Sequence, residues 1–273
     1  MGLWYDETYA DKVRLSLKVS RTLHREQSDL QRIEIVDTEA MGRTLILDDV
    51  FMTSERDEHY YHEMLVHPAL TTTPRIARVL IIGGGDGGTA REVLRHPEVE
   101  RVDMVEIDGR VVEACKAHLP NFGAWDDPRL RVEIGDGVAY ARDADVDPYD
   151  VVLLDGTDPV GPGEGLFDEA FYRGVRRLLT PHGTFALQSE SPFLMRDVFL
   201  DIQATLGRIF GRVHPYFGPA PIYNAGPWSW TFASHEVDPM AIDSARARRA
   251  ELTAKYYNAD IHRASFAVPN DLR

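Results

Sequence analysis

Between Lys18 and Thr53 the chain alternates apolar and polar residues over short stretches, as in LQRIEIVD and GRTLILDDVFMTS, with turn-forming residues between them. A period of two puts every second side chain on one face, so this region predicts a small antiparallel β domain. The following segment, DEHYYHEMLVHPAL, places apolar and aromatic residues at helical spacing and runs to Pro74, which ends the helix. A boundary near Thr72 divides the chain into residues 1–72, a β domain with its junction helix, and residues 73–273. Beyond it, the compact runs RVLII, RVDMVEI, LRVEI, YDVVLL and GTFALQ are separated by helical stretches such as GTAREVLRH and FDEAFYRGVRRLL. That order predicts an α/β domain, a parallel sheet covered by helices on both faces. In such sheets ligands bind beyond the carboxyl ends of the strands, which points to Gly83 to Gly88, Glu106, Asp136 and Asp155.

Composition narrows the classes. Hydrophobic residues make up 44% and charged residues 27% of the 273, and no apolar run nears the roughly 18 residues a membrane span needs. The N-terminal stretch has no basic start, apolar centre and small-residue cleavage site, and Cys115 is alone, so a cytoplasmic protein without an intrachain disulfide is expected. A formal charge of −14 disfavours nucleic acid and anionic membranes as partners and draws in small cations, although acidity serving solubility alone is the plainer account of it.

Gly83, Gly85 and Gly88 form G-x-G-x-x-G between a strand and a helix, where a ligand's close approach to the backbone requires missing side chains. Glu106 closes the next strand, placed to accept hydrogen bonds from both hydroxyls of a ribose. Asp86 puts a negative charge inside the glycine loop, which disfavours a pyrophosphate and favours a cationic nucleoside. Asp136-Gly137 reads equally well as a contact to the edge of a base or as a capped helix start. His62 and His67 in HEMLVH stand at i and i+5 and so do not share a helical face, and no metal is expected there. Taken alone, His62 divides evenly between packing and substrate contact. Trp228 and Trp230 alternate as strand residues and read as core or interface, Tyr223 is a candidate for an acceptor pocket, and Cys115 reads as inert.

GGGDGGTAREVLRH, then VEID, GDG and LLDGTDPVGPGEGLF, closely resemble the core of the polyamine aminopropyltransferases, the spermidine synthase family. The likeness extends over nearly the whole chain, since LQRIEIV, LILDDV and SERDEHYYHEM resemble the family's N-terminal domain and KYYNADIHRASFAVPN its C-terminal segment. The resemblance implies a small N-terminal β domain followed by a Rossmann-like domain of the methyltransferase type, in a homodimer or homotetramer. It implies that Gln31, Gly83, Gly85, Glu106, Asp136, Gly137 and Pro162 surround the methylthioadenosine part of a donor, decarboxylated S-adenosylmethionine, and that Asp86 holds the donor's aminopropyl amine. His62, Asp155 and Asp158 match the amine side, with Asp155 as proton acceptor, while Tyr61 and Glu190 match positions near the acceptor, Glu190 acting through water. The donor is a co-substrate, so no cofactor is implied.

These residue types suit that chemistry. A sulfonium with a free ammonium and a diamine bring up to four positive charges into one cleft, and Asp86, Asp155, Asp158 and Glu190 would supply four negative ones. Freeing the lone pair of an alkylamine at pH 7 costs roughly 4 kcal/mol, so a proton acceptor and a neighbouring sulfonium are both required. A lid from Asp155 to Phe167 is expected to close over the donor. The chain departs from the family in Gly156, where the family often has Ser, in Met52, where many members have Gln, and in Asn224, where a Pro is frequent. Putrescine is the default acceptor, with agmatine, cadaverine and spermidine as alternatives. An S-adenosylmethionine methyltransferase would share the sheet and Glu106, and Asp86 with the DGTDP loop argues against it.

Overall fold

The computed structural model describes residues 2–9, 11–157, 161–223 and 226–273, apart from the side chains of 161, 162 and 164. The first sheet is an antiparallel meander of β1 (Leu3–Tyr9), β2 (Val13–Gln27), β3 (Arg32–Thr38), β4 (Gly42–Leu47) and β5 (Val50–Ser54). It begins earlier than the alternation at Lys18 suggests. The cause is that Leu3 and Trp4 of β1 are exposed, so the strand carries no continuous apolar face to betray it. Ile33, Ile35, Leu45 and Leu47 on one side pack against Val111, Ala114 and Cys115 of α3 (Gly109–His118), which seals the sheet onto the second domain. On the other side Val36, Ile46 and Phe51 meet Leu17, Val19 and Ile222.

The second sheet has the order β11-β12-β10-β9-β6-β7-β8. Its parallel part comprises β6 (Arg78–Gly83), β7 (Arg101–Glu106), β8 (Leu130–Ile134), β9 (Tyr149–Asp155) and β10 (Leu179–Gln188). Two further strands, β11 (Arg212–Gly218) and β12 (Trp228–Ser234), run antiparallel at one edge, so the expected parallel sheet is mixed. Val79, Ile81, Val151 and Leu153 face α1 (Glu58–Thr72), α2 (Gly88–Leu94) and α7 (Ser244–Glu251). Leu80, Ile82, Val152 and Leu154 face α4 (Gly137–Asp143), α5 (Glu169–Leu178) and α6 (Arg196–Gly207). Burial on both faces is why these strands read as unbroken apolar runs. From β6 the chain winds outward to β7 and β8, then returns to wind the other way through β9 and β10. The crevice between β6 and β9, where Gly83 pairs with Asp155, is therefore the topological switch point. Among the described residues no helix is long and apolar enough to cross a membrane.

Helix α1 is a beam between the two sheets, buried nearly all round, and Glu58, His62, Glu63 and Thr71 on it each find a partner. Glu63, only 1% exposed, accepts the backbone N–H groups of Lys255, Tyr256 and Tyr257, each at 2.8 Å, and so straps the segment before α8 (Ala259–Ser265) to the beam. Pro68 lies inside the helix, where it has no N–H to offer the carbonyl of Met64. The Tyr216 hydroxyl fills that place, donating to the Met64 carbonyl at 2.9 Å. Replacing Tyr216→Phe should leave a buried carbonyl unpaired and lower the unfolding free energy by about 1–3 kcal/mol in urea titrations. In a Pro68→Ala background, which restores the N–H, the same replacement should cost measurably less.

Candidate active site

A cleft of about 910 Å³ opens at the switch point, floored by the carboxyl ends of β6, β7 and β9 and roofed by the first sheet. Leu45, Leu47 and Met52 give the roof an apolar surface, and Gln31 adds a polar one. Gly83, Gly84 and Gly87 adopt positive φ, and a Cβ on Gly83 would stand 2.2 Å from the Asp155 carbonyl, so the turn needs glycine there. Gly85 is needed for a different reason: a Cβ there would meet a Glu106 carboxylate oxygen at 2.9 Å.

The expected nucleoside residues converge. Glu106 Oε1 accepts the Asp108 N–H at 2.9 Å, and Gln31 reaches across from the first sheet to donate to Asp108 Oδ2 at 3.0 Å. Asp108 was not among the residues expected from sequence, because its partners Gln31 and Ser28 are remote in the chain. Asp136 caps α4 through Val138 N–H at 2.8 Å and also lines the cleft beside Gly137.

The acidic end is built from α1, the glycine loop and β9. Asp86 accepts the Gly88 N–H through Oδ1 at 2.7 Å and faces His62 Nε2 through Oδ2 at 3.2 Å. His62, 2% exposed, points its Nδ1 at Glu58 Oε2, 2.7 Å away. Burial alone would lower the His62 pKa, but the carboxylates of Asp86 and Glu58 outweigh it and hold the ring well above the ordinary imidazole value. Burial likewise works to raise Glu58, and His62 and Arg91 override it, bringing the carboxyl down to about 2. The Asp155 carboxyl is raised by burial and by the Asp86 charge, with His62 opposing. Its Oδ2 is buried and, among the described residues, lacks a hydrogen bond of ordinary geometry, with the Tyr61 and Thr89 hydroxyls nearby. His62, Asp86 and Asp155 present atoms within 4.8 Å of one another. Both imidazole nitrogens already face carboxylate oxygens, so the ring has no lone pair to give a metal, and the group is an ion-pair cluster.

A smaller cavity of about 350 Å³ shares Met52, Tyr61, Gly156, Thr157 and Tyr223 with the cleft. Its far wall holds Glu7, Tyr9 and Gln188, and also Trp228, which is buried as expected yet borders the cavity. Glu7 and Tyr9 escaped the sequence reading with the rest of β1. Glu190 is placed differently from expectation: it is fully buried, does not line either cavity, and accepts the Tyr9 hydroxyl at 2.7 Å from behind the wall. Glu190 adopts a positive φ of 68°, uncommon for a residue other than glycine. Asp158, Pro159 and Asn224 lie outside the described residues, as does the side chain of Pro162, and the expected lid falls partly on them. The described remainder of that segment, Gly161–Phe167, forms a 3₁₀ helix that brings Leu166 to the cleft.

Family models match in two blocks, the spermidine synthase tetramerisation domain over residues 3–55 and the spermine/spermidine synthase domain over residues 58–244. A polyamine aminopropyltransferase of Prochlorococcus marinus is 48% identical over 253 residues, 92% of this chain and 87% of that protein. The polyamine aminopropyltransferase of Bacillus subtilis is 40% identical over 268 residues, 98% of this chain and 96% of that one. A spermidine synthase crystallised with the transition-state analogue AdoDATO superposes with a TM-score of 0.95 at 40% identity, covering 98% of this chain and 93% of that one. The spermidine synthase of Thermotoga maritima gives a TM-score of 0.93 at 40% identity, covering 98% and 92%.

Glu106 is a carboxyl whose titration can be read from outside. Burial lifts it from 4.5 to about 7, with the Asp108 N–H opposing and the Asp108 and Asp155 charges adding to the rise. The folded protein thus holds this proton more tightly than the unfolded chain does. Its stabilising contribution is complete below the unfolded value and is lost as the pH rises through about 7, an effect of up to about 3 kcal/mol. Glu106→Gln should flatten that part of the pH dependence in urea unfolding compared at about pH 5 and about pH 8. An unchanged slope would assign the titration to another group.

Proposed function

Since the chain belongs to the spermine/spermidine synthase family and is a polyamine aminopropyltransferase, we propose that it moves the aminopropyl group of decarboxylated S-adenosylmethionine to putrescine, giving spermidine and methylthioadenosine. The observation that carries this reading is the meeting of Asp86 and Asp155 at the switch point, beside a nucleoside-sized cleft ending in Glu106. Two carboxylates so close in a buried place suit a ligand that brings positive charge.

Glu106 would take the ribose hydroxyls, Asp136 and Gly137 the base edge, and Asp86 the donor's ammonium. The acceptor would lie between Tyr61 and Tyr223, with its distal amine toward Glu7 in the smaller cavity. Asp155 Oδ2 would accept a proton from the near ammonium, and the freed nitrogen lone pair would attack the carbon bonded to sulfur. The carbon–sulfur bond breaks as the carbon–nitrogen bond forms, the electron pair leaving with the sulfur of methylthioadenosine. Holding the two in line supplies much of the rate, and the raised Asp155 pKa brings the base closer to its task. As written, the displacement uses no resident cofactor. The match of residues 3–55 to a spermidine synthase tetramerisation domain supports an oligomer, read here as a homodimer or homotetramer working in the cytoplasm.

Incubation with decarboxylated or intact S-adenosylmethionine and a panel of putrescine, cadaverine, agmatine and spermidine tests this directly. Methylthioadenosine should be released only with the decarboxylated donor, and fastest with putrescine. Methylated product from the intact donor would overturn the reading. Asp155→Asn should lower kcat by about 10²–10⁴-fold while calorimetry shows donor affinity within a few-fold of the parent.

A further inference from the structure

Resting on the reading of the cleft as a cation-binding aminopropyl-transfer site, we propose that Glu58 is a positioning residue: it holds His62 as an imidazolium whose Nε2–H clamps Asp86 and whose charge keeps Asp155 ready to take the acceptor's proton. Glu58 is not on the wall of the cleft. It borders a separate groove of about 620 Å³ on the other side of His62, together with Arg91.

The geometry fixes the charge of the ring. His62 lies between Glu58 Oε2 at 2.7 Å and Asp86 Oδ2 at 3.2 Å. A neutral imidazole carries one N–H, so its other lone pair would confront a carboxylate oxygen with no room for water between them. Both contacts become hydrogen bonds only when both nitrogens hold protons. The ring cannot turn away from either partner. A Cβ on Gly88 would meet His62 Cε1 at 2.2 Å, so the imidazole lies flat against the start of α2, and Tyr61 abuts it edge-on with ring centroids 5.5 Å apart.

The charged and titratable groups facing His62 are Glu58 and Tyr61 from its own helix, Asp86 from the glycine loop and Asp155 from the end of β9. Arg91 stands behind Glu58, its Nη2 2.7 Å from the same Oε2. It also reaches Glu92 Oε1 at 2.8 Å, so its charge is divided and does not cancel Glu58. The result is a row of alternating charges, Arg91, Glu58, His62 and Asp86, that ends at the reaction site. Without the cation at His62, Asp86 and Asp155 would repel each other and one would take up a proton before any ligand arrived.

The test is Glu58→Gln, whose amide oxygen still accepts from Nδ1–H and Arg91 but carries no charge. Two-dimensional ¹⁵N spectra of the ligand-free protein should show both His62 nitrogens protonated across the neutral range in the parent. In Glu58→Gln one nitrogen should lose its proton within that range, and Glu58→Asp should restore the parent behaviour in part. The acid limb of kcat in aminopropyl transfer should move up by about one pH unit in Glu58→Gln, because Asp155 loses a neighbouring positive charge. A neutral His62 in the parent would overturn the proposal. So would a Glu58→Gln protein that is merely less heat-stable, with the ring titration and the acid limb unmoved. The spectra need no turnover, so an absence of aminopropyl transfer would refute the functional reading while leaving this proposal to stand or fall on the ring nitrogens.

Discussion

Negative charge gathered where three neighbouring strands end is the condition around which the rest of the molecule is arranged. Asp86, Glu106 and Asp155 follow β6, β7 and β9 into one cleft, and the first sheet covers them with Leu45, Leu47 and Met52. Excluding water in this way makes each carboxylate costly to keep ionised and effective once a counter-charge arrives. The three are accommodated differently. Glu106 leans on the Asp108 amide and on protonation, Asp86 on the Gly88 amide and His62, and Asp155 on the residual field of His62. Each carboxylate is thus held by its own partners, and the protein's side chains leave the cleft short of positive charge.

Much of this was legible in the sequence, for a physical reason that also explains what was not. Strands β6 and β9 announce themselves because burial on both faces leaves few polar positions to interrupt the run, and the residues just beyond the ends of the parallel strands lie at the crevice. Gly83, Gly85, Asp86, Glu106 and Asp155 all follow from that rule. Strand β1 was invisible because its apolar residues include the exposed Leu3 and Trp4, and with it went Glu7 and Tyr9 on the far wall of the smaller cavity. The edge pair β11 and β12 turned a parallel sheet into a mixed one without a local signal, since Trp228 and Trp230 fit a strand of either direction.

Side-chain partnerships were the least readable part. Glu58 and His62 stand four apart, a spacing that on an exposed helix would mean a weak surface pair; here both are buried, on a helix packed between the two sheets. Gln31 and Asp108 meet across the domain boundary, 77 residues apart in the chain. Glu190, which the resemblance put near the acceptor through water, lines neither cavity and accepts the hydroxyl of Tyr9, a residue on the wall of the smaller one.

The grip of Glu63 on the amides of Lys255, Tyr256 and Tyr257 bears on how the molecule comes into being. Synthesis proceeds from the N-terminus, so the helix bearing this carboxylate is made nearly two hundred residues before the donors that satisfy it. Until they emerge from the ribosome, that carboxylate lacks its three backbone donors. The helix that carries the histidine and tyrosine of the cleft is thus tied down by a stretch of chain that lines neither the cleft nor the smaller cavity.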